Sequence, residues 1–176
     1  MILKDAIELI KHDRINDIDG PQTWADLGCG EGLFSQALSH LLKPDSRIYA
    51  VDKTKPDPIP SYNNVLIESR IYDFIKDDLV LPPLDGILMA NSLHYVSDKK
   101  ELLNKLMLLL KPTAGFIIVE YDTDTPIQNW VPYPLSFQSL QNLFRQVGYK
   151  NIVPIGKRAS VYGRANLYSA LIKNKP

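Results

Sequence analysis

The chain has one cysteine, Cys29, in 176 residues. A single thiol excludes an intrachain disulfide framework and a cysteine-built zinc site. Histidine is almost as scarce. The three, at positions 12, 40 and 94, are too far apart to suggest a ligand cluster. Net charge is absent, since twenty Lys and Arg balance twenty Asp and Glu. Without a surplus of cations, a dominant electrostatic grip on nucleic acid or an anionic membrane is disfavoured. No apolar run reaches the roughly 18 residues needed to span a bilayer. The opening MILKDAIELIKHD sets charges among its apolar positions and lacks the apolar core of a signal peptide. These absences lead us to expect a cytoplasmic protein. What remains is ordinary for a globular chain: 45% hydrophobic and 23% charged residues, with a length suited to one domain over 1–176.

Leu3, Ala6, Ile7 and Ile10 recur at helical spacing, so the N-terminus reads as an amphipathic helix and linker over 1–20. Short apolar runs at Thr23–Leu27, Arg47–Val51, Val65–Glu68, Asp85–Ala90 and Gly115–Tyr121 read as strands. Helices are expected at Glu31–Leu42, Ser97–Lys111 and Ser136–Val147, with a short one at Tyr72–Lys76. The stretch Lys53–Pro60 holds three prolines in eight residues, so the second crossover is expected to be a loop. Runs such as Phe116-Ile117-Ile118-Val119 do not alternate, which implies burial on both faces of a parallel sheet. Two last strands, Lys150–Ile155 and Leu167–Ile172, have only the connection 156–166 between them and should pair antiparallel at an edge. The expected fold is α/β: a three-layer sandwich around a doubly wound, mostly parallel seven-stranded sheet with an antiparallel C-terminal edge hairpin. Ligands in such sheets sit at the carboxyl ends of the strands.

That end of the first strand reads Asp26-Leu27-Gly28-Cys29-Gly30-Glu31-Gly32. Three glycines let a backbone turn sharply and approach a ligand closely. Twenty-four residues after Gly28, the second strand ends in Asp52, a carboxylate placed to accept from a ribose diol. The pattern is that of a nucleoside-binding half. A dinucleotide fingerprint would need G-x-G-x-x-G, but the third glycine comes one residue early and Leu33 follows. Asp26 would repel a pyrophosphate and welcome an ammonium. The loop therefore points to a cofactor that carries an amino group.

The stretches DLGCGEG (26–32), IYAVDK (48–53), YDF (72–74), DGILMANSLHYV (85–96) and LKPTAGFIIVE (110–120) resemble the class I S-adenosylmethionine (SAM) dependent methyltransferases. They stand in that family's order, and the resemblance covers residues 22–122. It implies a methyl transfer from SAM to an O, N, S or C nucleophile of a small-molecule acceptor, with S-adenosylhomocysteine as product. It also implies that Gly28, Cys29, Gly30 and Gly32 pass under the methionine part, with Asp26 near its amino group. Asp52 would take the ribose hydroxyls, with Lys53 along the adenine edge. Asp73 would accept from the adenine amine, Phe74 would meet the ring, and Asn91 would lie beside the methyl group.

A base is needed only if the nucleophile starts protonated, and His94 is the candidate; it can also simply pack in its loop. Tyr95, Tyr121, Trp130 and Tyr133 are candidates for an aromatic acceptor wall. Lys157, Arg158, Tyr162 and Arg164 in the last connection are candidates for holding an anionic acceptor, or are a solvated basic loop. Asp77 and Asp78 beside Asp73 make a poor cation cage, and no metal is expected. Two other functions compete: a non-catalytic SAM-binding or scaffold subunit, and an NAD(P)-dependent oxidoreductase.

Overall fold

Seven strands form one sheet in the order β3-β2-β1-β4-β5-β7-β6. The structure is a computed structural model that describes residues 1–127, 130–159 and 165–173. Strands β1 (Thr23–Leu27), β2 (Arg47–Asp52), β3 (Leu66–Ile71), β4 (Leu84–Ala90) and β5 (Leu110–Tyr121) run parallel. Strands β6 (Asn151–Arg158) and β7 (Leu167–Lys173) run antiparallel, with β7 between β5 and β6. The strand order turns back between β1 and β4, which opens a crevice at their carboxyl ends.

Alternate residues of the central strands feed two apolar layers. Ile87, Met89, Phe116 and Ile118 pack with Leu103 and Leu106 of α3 (Lys99–Met107) and with Leu140 and Phe144 of α4 (Phe137–Gln146). Leu88, Ile117 and Val119 point the other way, onto Leu9 and Ile10 of α1 (Leu3–Ile10) and Phe34 and Leu38 of α2 (Leu33–Ser39). The non-alternating apolar strands are thus covered on both faces, as their pattern implied.

Five elements differ from the sequence reading. Strand β3 is not buried on both faces; none of its residues is fully buried. It is the outer strand, and the proline-rich segment at 53–60 forms no helix to cover it. The expected helix at Tyr72–Lys76 is a turn, because side chains take the backbone donors: Asp73 accepts from the Ile75 N–H, and Asp77 from the Asp73 N–H. Helix α3 ends at Met107, short of Lys111, and β5 begins at Leu110. Leu110 pairs with Leu84 of β4, and the Lys111 ammonium reaches the buried Asp85 carboxylate at 2.7 Å. Helix α2 is also shorter than its apolar pattern and starts after Gly32 in the left-handed region.

Strand β6 runs through Arg158, so Lys157 and Arg158 belong to the sheet and not to the connection. Helices α3 and α4 are capped by their preceding polar residues. The Asp98 carboxylate accepts from the Glu101 N–H and the Ser136 hydroxyl from the Ser139 N–H.

Candidate active site

The glycine loop leaves β1 and is tied to β2, since the N–H groups of Gly28 and Cys29 both donate to the Val51 carbonyl. Gly28 and Gly30 have φ of 76° and 53°, values that glycine adopts without strain. Gly28 also has no room for a side chain. A Cβ there would lie 2.6 Å from the Cβ of Ser92 and 3.2 Å from the Phe74 ring. Gly28→Ala should therefore cost about 1–2 kcal/mol from backbone strain and this clash, read as a lower midpoint in urea. An unchanged midpoint would mean that the loop shifts freely.

Asp52 ends β2 and braces the loop: its Oδ2 accepts from the Gly30 N–H at 2.9 Å, and its Oδ1 from the Thr54 N–H at 3.3 Å. Gly32 lies under the proline-rich segment, against the side chain of Ile59. Asp26 lies behind the loop with no exposed surface. One oxygen accepts from the Ser35 hydroxyl at 2.6 Å, and the other, Oδ1, has no partner among the described residues. Burial pushes this carboxyl up to about 7; the Ser35 hydrogen bond opposes the shift, and the negative charge of Asp52 adds to it. The Cys29 thiol is pushed up as well, chiefly by burial and then by Asp26 and Asp52, so it stays a protonated packing group.

A cavity of about 270 Å³ opens above the loop. Gly28, Asp52 and Lys53 bound one side, Phe74 and Ile75 another, and Asn91, Ser92 and Tyr95 the third. Asn91 has a φ of 53°, and its Oδ1 is buried without a partner among the described residues. Asp73 lies beside the wall and not in it, 3.4 Å from the Lys53 ammonium and 3.7 Å from Lys76. Burial would raise its carboxyl, but the Ile75 N–H and the two lysines hold it below the usual range.

His94 is 1% exposed and sits behind Tyr95, with ring centroids 4.3 Å apart. The Tyr121 ring is 6.3 Å from it. The Tyr133 N–H donates to the His94 carbonyl, and Tyr133 and Trp130 are about half exposed on the segment after β5. The structure therefore gathers Gly28, Asp52, Lys53, Phe74, Asn91 and Tyr95 around one cavity, with His94, Tyr121 and Tyr133 behind its rim.

Arg158 lies elsewhere. It pairs with Asp5 of α1 at 2.5 Å, and Lys157 stands 3.8 Å from Asp122. Both cations are already matched within the chain. Tyr162 and Arg164 lie outside the described residues.

Three neighbours of the site were not singled out from the sequence. The Ser92 hydroxyl donates to the Leu27 carbonyl at 2.7 Å and locks β4 to the loop. Glu120 is wholly buried against His94, and Lys99 is buried nearby. A signal for Glu120 was present: an acid closing a buried apolar strand, as Asp26 and Asp52 do. Among the described residues no group of three or more His, Cys, Asp or Glu side chains could hold a metal ion, and no helix is long and apolar enough to cross a membrane.

A family model described as a methyltransferase domain matches residues 25–116, from β1 into β5. O-methyltransferase cnsE of Penicillium expansum is 25% identical over 142 residues, which cover 72% of this chain and 51% of that protein. Arginine-hydroxylase NDUFAF5, mitochondrial, of Rattus norvegicus is 28% identical over 130 residues, or 70% of this chain and 36% of that one. The chain thus spans about half the length of the first relative and about a third of the second. The fold is shared with the Burkholderia thailandensis 1,6-didemethyltoxoflavin-N1-methyltransferase, solved with 1,6-didemethyltoxoflavin and S-adenosylhomocysteine. That likeness has a TM-score of 0.67 at 18% identity and covers 98% of this chain and 78% of that one. The family match takes in the glycine loop, Asp52, the wall at Phe74 and Ile75, and the segment from Asn91 to Tyr95, and on it the chain belongs to the methyltransferase domain family.

Proposed function

We propose that the chain binds SAM in the cavity between the glycine loop and Asn91, and transfers its methyl group to a small-molecule acceptor. The observation that carries this reading is a set of acceptors at the cavity and just behind it. Asn91 and Asp52 line the cavity, Asn91 Oδ1 has no partner among the described residues, and behind the loop Asp26 Oδ1 has none among them either. Buried acceptors without donors are costly, so the site suits a ligand rich in donors. The ribose hydroxyls and ammonium of SAM are such donors. Asp52 already accepts two backbone N–H groups, but an ionised carboxylate has about four lone-pair sites, which leaves capacity for a diol. Lys53 and Asp73 stand at the adenine side, Phe74 offers a ring face, and the Gly28–Gly30 backbone leaves space for the methionine part.

When bound, the sulfonium supplies an already activated methyl group. The chain's own work is to orient the ligand, align an acceptor and exclude water. A cytoplasmic setting is part of the same proposal; its support is a chain with one cysteine and no disulfide to keep oxidised.

Titration calorimetry with SAM tests the reading, with a saturable one-site heat expected and flat heats ending it. Binding without methyl transfer to a metabolite panel would support a non-catalytic SAM-binding subunit instead. The arginine-hydroxylase relative favours a second reading, oxygen insertion. Product mass separates it from methylation, because one adds O and the other CH2.

A further inference from the structure

The two edges of the sheet are built differently. At β6, Pro154 offers no N–H, the pairing with β7 slips between Pro154 and Gly156, Lys157 adds a charge, and Leu9 of α1 lies close over Gly156. Prolines, bulges, lysines and covering elements are the means by which an edge is kept from pairing with another chain. Strand β3, the opposite edge, has none of these among the described residues. Leu66-Ile67-Glu68-Ser69-Arg70-Ile71 holds no proline and no lysine, and it pairs with β2 without a slip. Its two end residues, Leu66 and Ile71, are 49% and 60% exposed.

Which backbone groups face outward follows from the ladder. The N–H groups of Leu66 and Tyr72 donate inward, to the carbonyls of Ser46 and Asp52. Along a strand the direction alternates from residue to residue. Leu66, Glu68 and Arg70 therefore direct their backbone groups to β2, while Ile67, Ser69 and Ile71 turn theirs away from the sheet. Among the described residues these outward groups meet one side chain, the Arg70 guanidinium, 3.3 Å from the Ser69 carbonyl. Side chains alternate too. Glu68 and Arg70 share one face, where Arg70 stands 5.2 Å over the Tyr49 ring and Glu68 pairs with Arg70 and with Arg47. Ile67, Ser69 and Ile71 share the other, on the side where the proline-rich segment forms no helix.

We propose that two copies of this chain associate through β3, paired antiparallel about a two-fold axis at Ser69. The partner is a second copy because the strand is complementary to itself in one register. With Ser69 opposite Ser69 of the second copy, Ile67 meets Ile71 and Glu68 meets Arg70, each twice. The outward-facing residues then stand opposite one another and exchange N–H···O=C bonds, at Cα separations of about 5.5 Å. The Ser69 N–H of the second copy replaces the Arg70 guanidinium at the Ser69 carbonyl. Glu68 and Arg70 fall at the intervening pairs, where Cα atoms are only about 4.5 Å apart and opposite charges attract. Glu68 can accept this further partner, since a carboxylate has about four lone-pair sites. The neighbouring registers that keep the hydrogen bonds are repulsive: an axis at Glu68 sets Glu68 against Glu68, and an axis at Arg70 sets Arg70 against Arg70. A two-fold contact uses both β3 edges and leaves neither open, so the assembly closes at two copies. None of these residues lines the cavity, and the association is independent of methyl transfer.

Sedimentation equilibrium over a concentration series tests the contact, with a mass of twice the 19.9 kDa of one chain expected at the upper end. Glu68→Arg and Arg70→Glu should each weaken association about 10-fold, because like charges then face each other at both pairs. Mixed together, the two variants should associate as the wild type does, since every pair again joins opposite charges. Native mass spectrometry identifies that mixed dimer by its mass. The register has its own readout. Under mild oxidation Ser69→Cys should join two copies by a disulfide, its Cα spacing of about 5.5 Å being within disulfide reach. Ile67→Cys should not, because its opposite residue is Ile71; the one native thiol, Cys29, is buried. A one-chain mass throughout the series overturns the proposal and leaves the edge to a different protein. A dimer that survives both charge variants, or mixed variants that stay apart, places the contact elsewhere and overturns it as well. Cross-linking through Ile67→Cys in preference to Ser69→Cys overturns the register.

Discussion

Asp52→Ala should weaken SAM binding by about 1.5–3 kcal/mol, the range for hydrogen bonds to a charged group, or about 10- to 150-fold in Kd. Two losses combine. The carboxylate that lines the cavity disappears, and so does the brace that holds the Gly30 N–H at 2.9 Å. The first acts on the ligand directly. The second frees a loop whose glycines do not favour one conformation by themselves. Asp52→Asn separates them, because its amide oxygen can still accept from Gly30 while the charge is gone; it should fall between wild type and Asp52→Ala. Calorimetry on the three proteins measures this. Equal affinity in all three would mean that neither the carboxylate nor its brace on the loop contributes to binding and that the ribose lies elsewhere.

The second large effect is on pH. Burial, with the Ser35 hydrogen bond opposing and the Asp52 charge assisting, raises Asp26 from 3.8 to about 7 in the folded chain. Between about pH 4 and 7 the folded protein holds a proton that the unfolded chain releases. The contribution of Asp26 to stability therefore falls as pH rises through that window and levels off above it. The loss is on the order of 2–4 kcal/mol. Urea midpoints at pH 5 and pH 8 read it, and Asp26→Asn should remove this part of the slope.

Ligand binding responds with the opposite sign. An ammonium near Oδ1 requires the ionised carboxylate, so SAM affinity should rise about 10-fold per pH unit between pH 5 and 7 and then level off. The same variant should flatten that profile. A Kd for SAM that does not change across this range would place the amino group away from Asp26. The arrangement would be one in which stability is given up at the site where a ligand is held.

Particular elements explain what could be read in advance. Strands β1 and β4 were recognisable because Trp24–Leu27 and Ile87–Met89 are apolar, buried stretches that lead into a glycine loop and into Ala90-Asn91. The loop at 53–60 was recognisable because prolines forbid a helix regardless of surroundings. The start of β5 was not. Leu109 and Leu110 continue the leucine spacing of α3, and only pairing with β4, together with the Lys111–Asp85 contact, pulls the chain out of helix there. Arg158 likewise seemed free as part of a basic segment, until α1 brought Asp5 to it.

The site divides along the same line. The sequence alone determined the glycine loop, its acids at 26 and 52 and the succession of strands along the chain. These depend on backbone freedom, chain-local charge and the period of apolar residues, all properties of neighbouring positions. Tertiary structure alone decided that Glu120 meets His94, that Ser92 closes on Gly28, and that Asp26 is buried deeply enough to hold a proton near neutrality. Those outcomes depend on desolvation and on partners brought together from distant positions, 26 residues apart for Glu120 and His94. No local pattern encodes such distances; the packing of the sheet sets them.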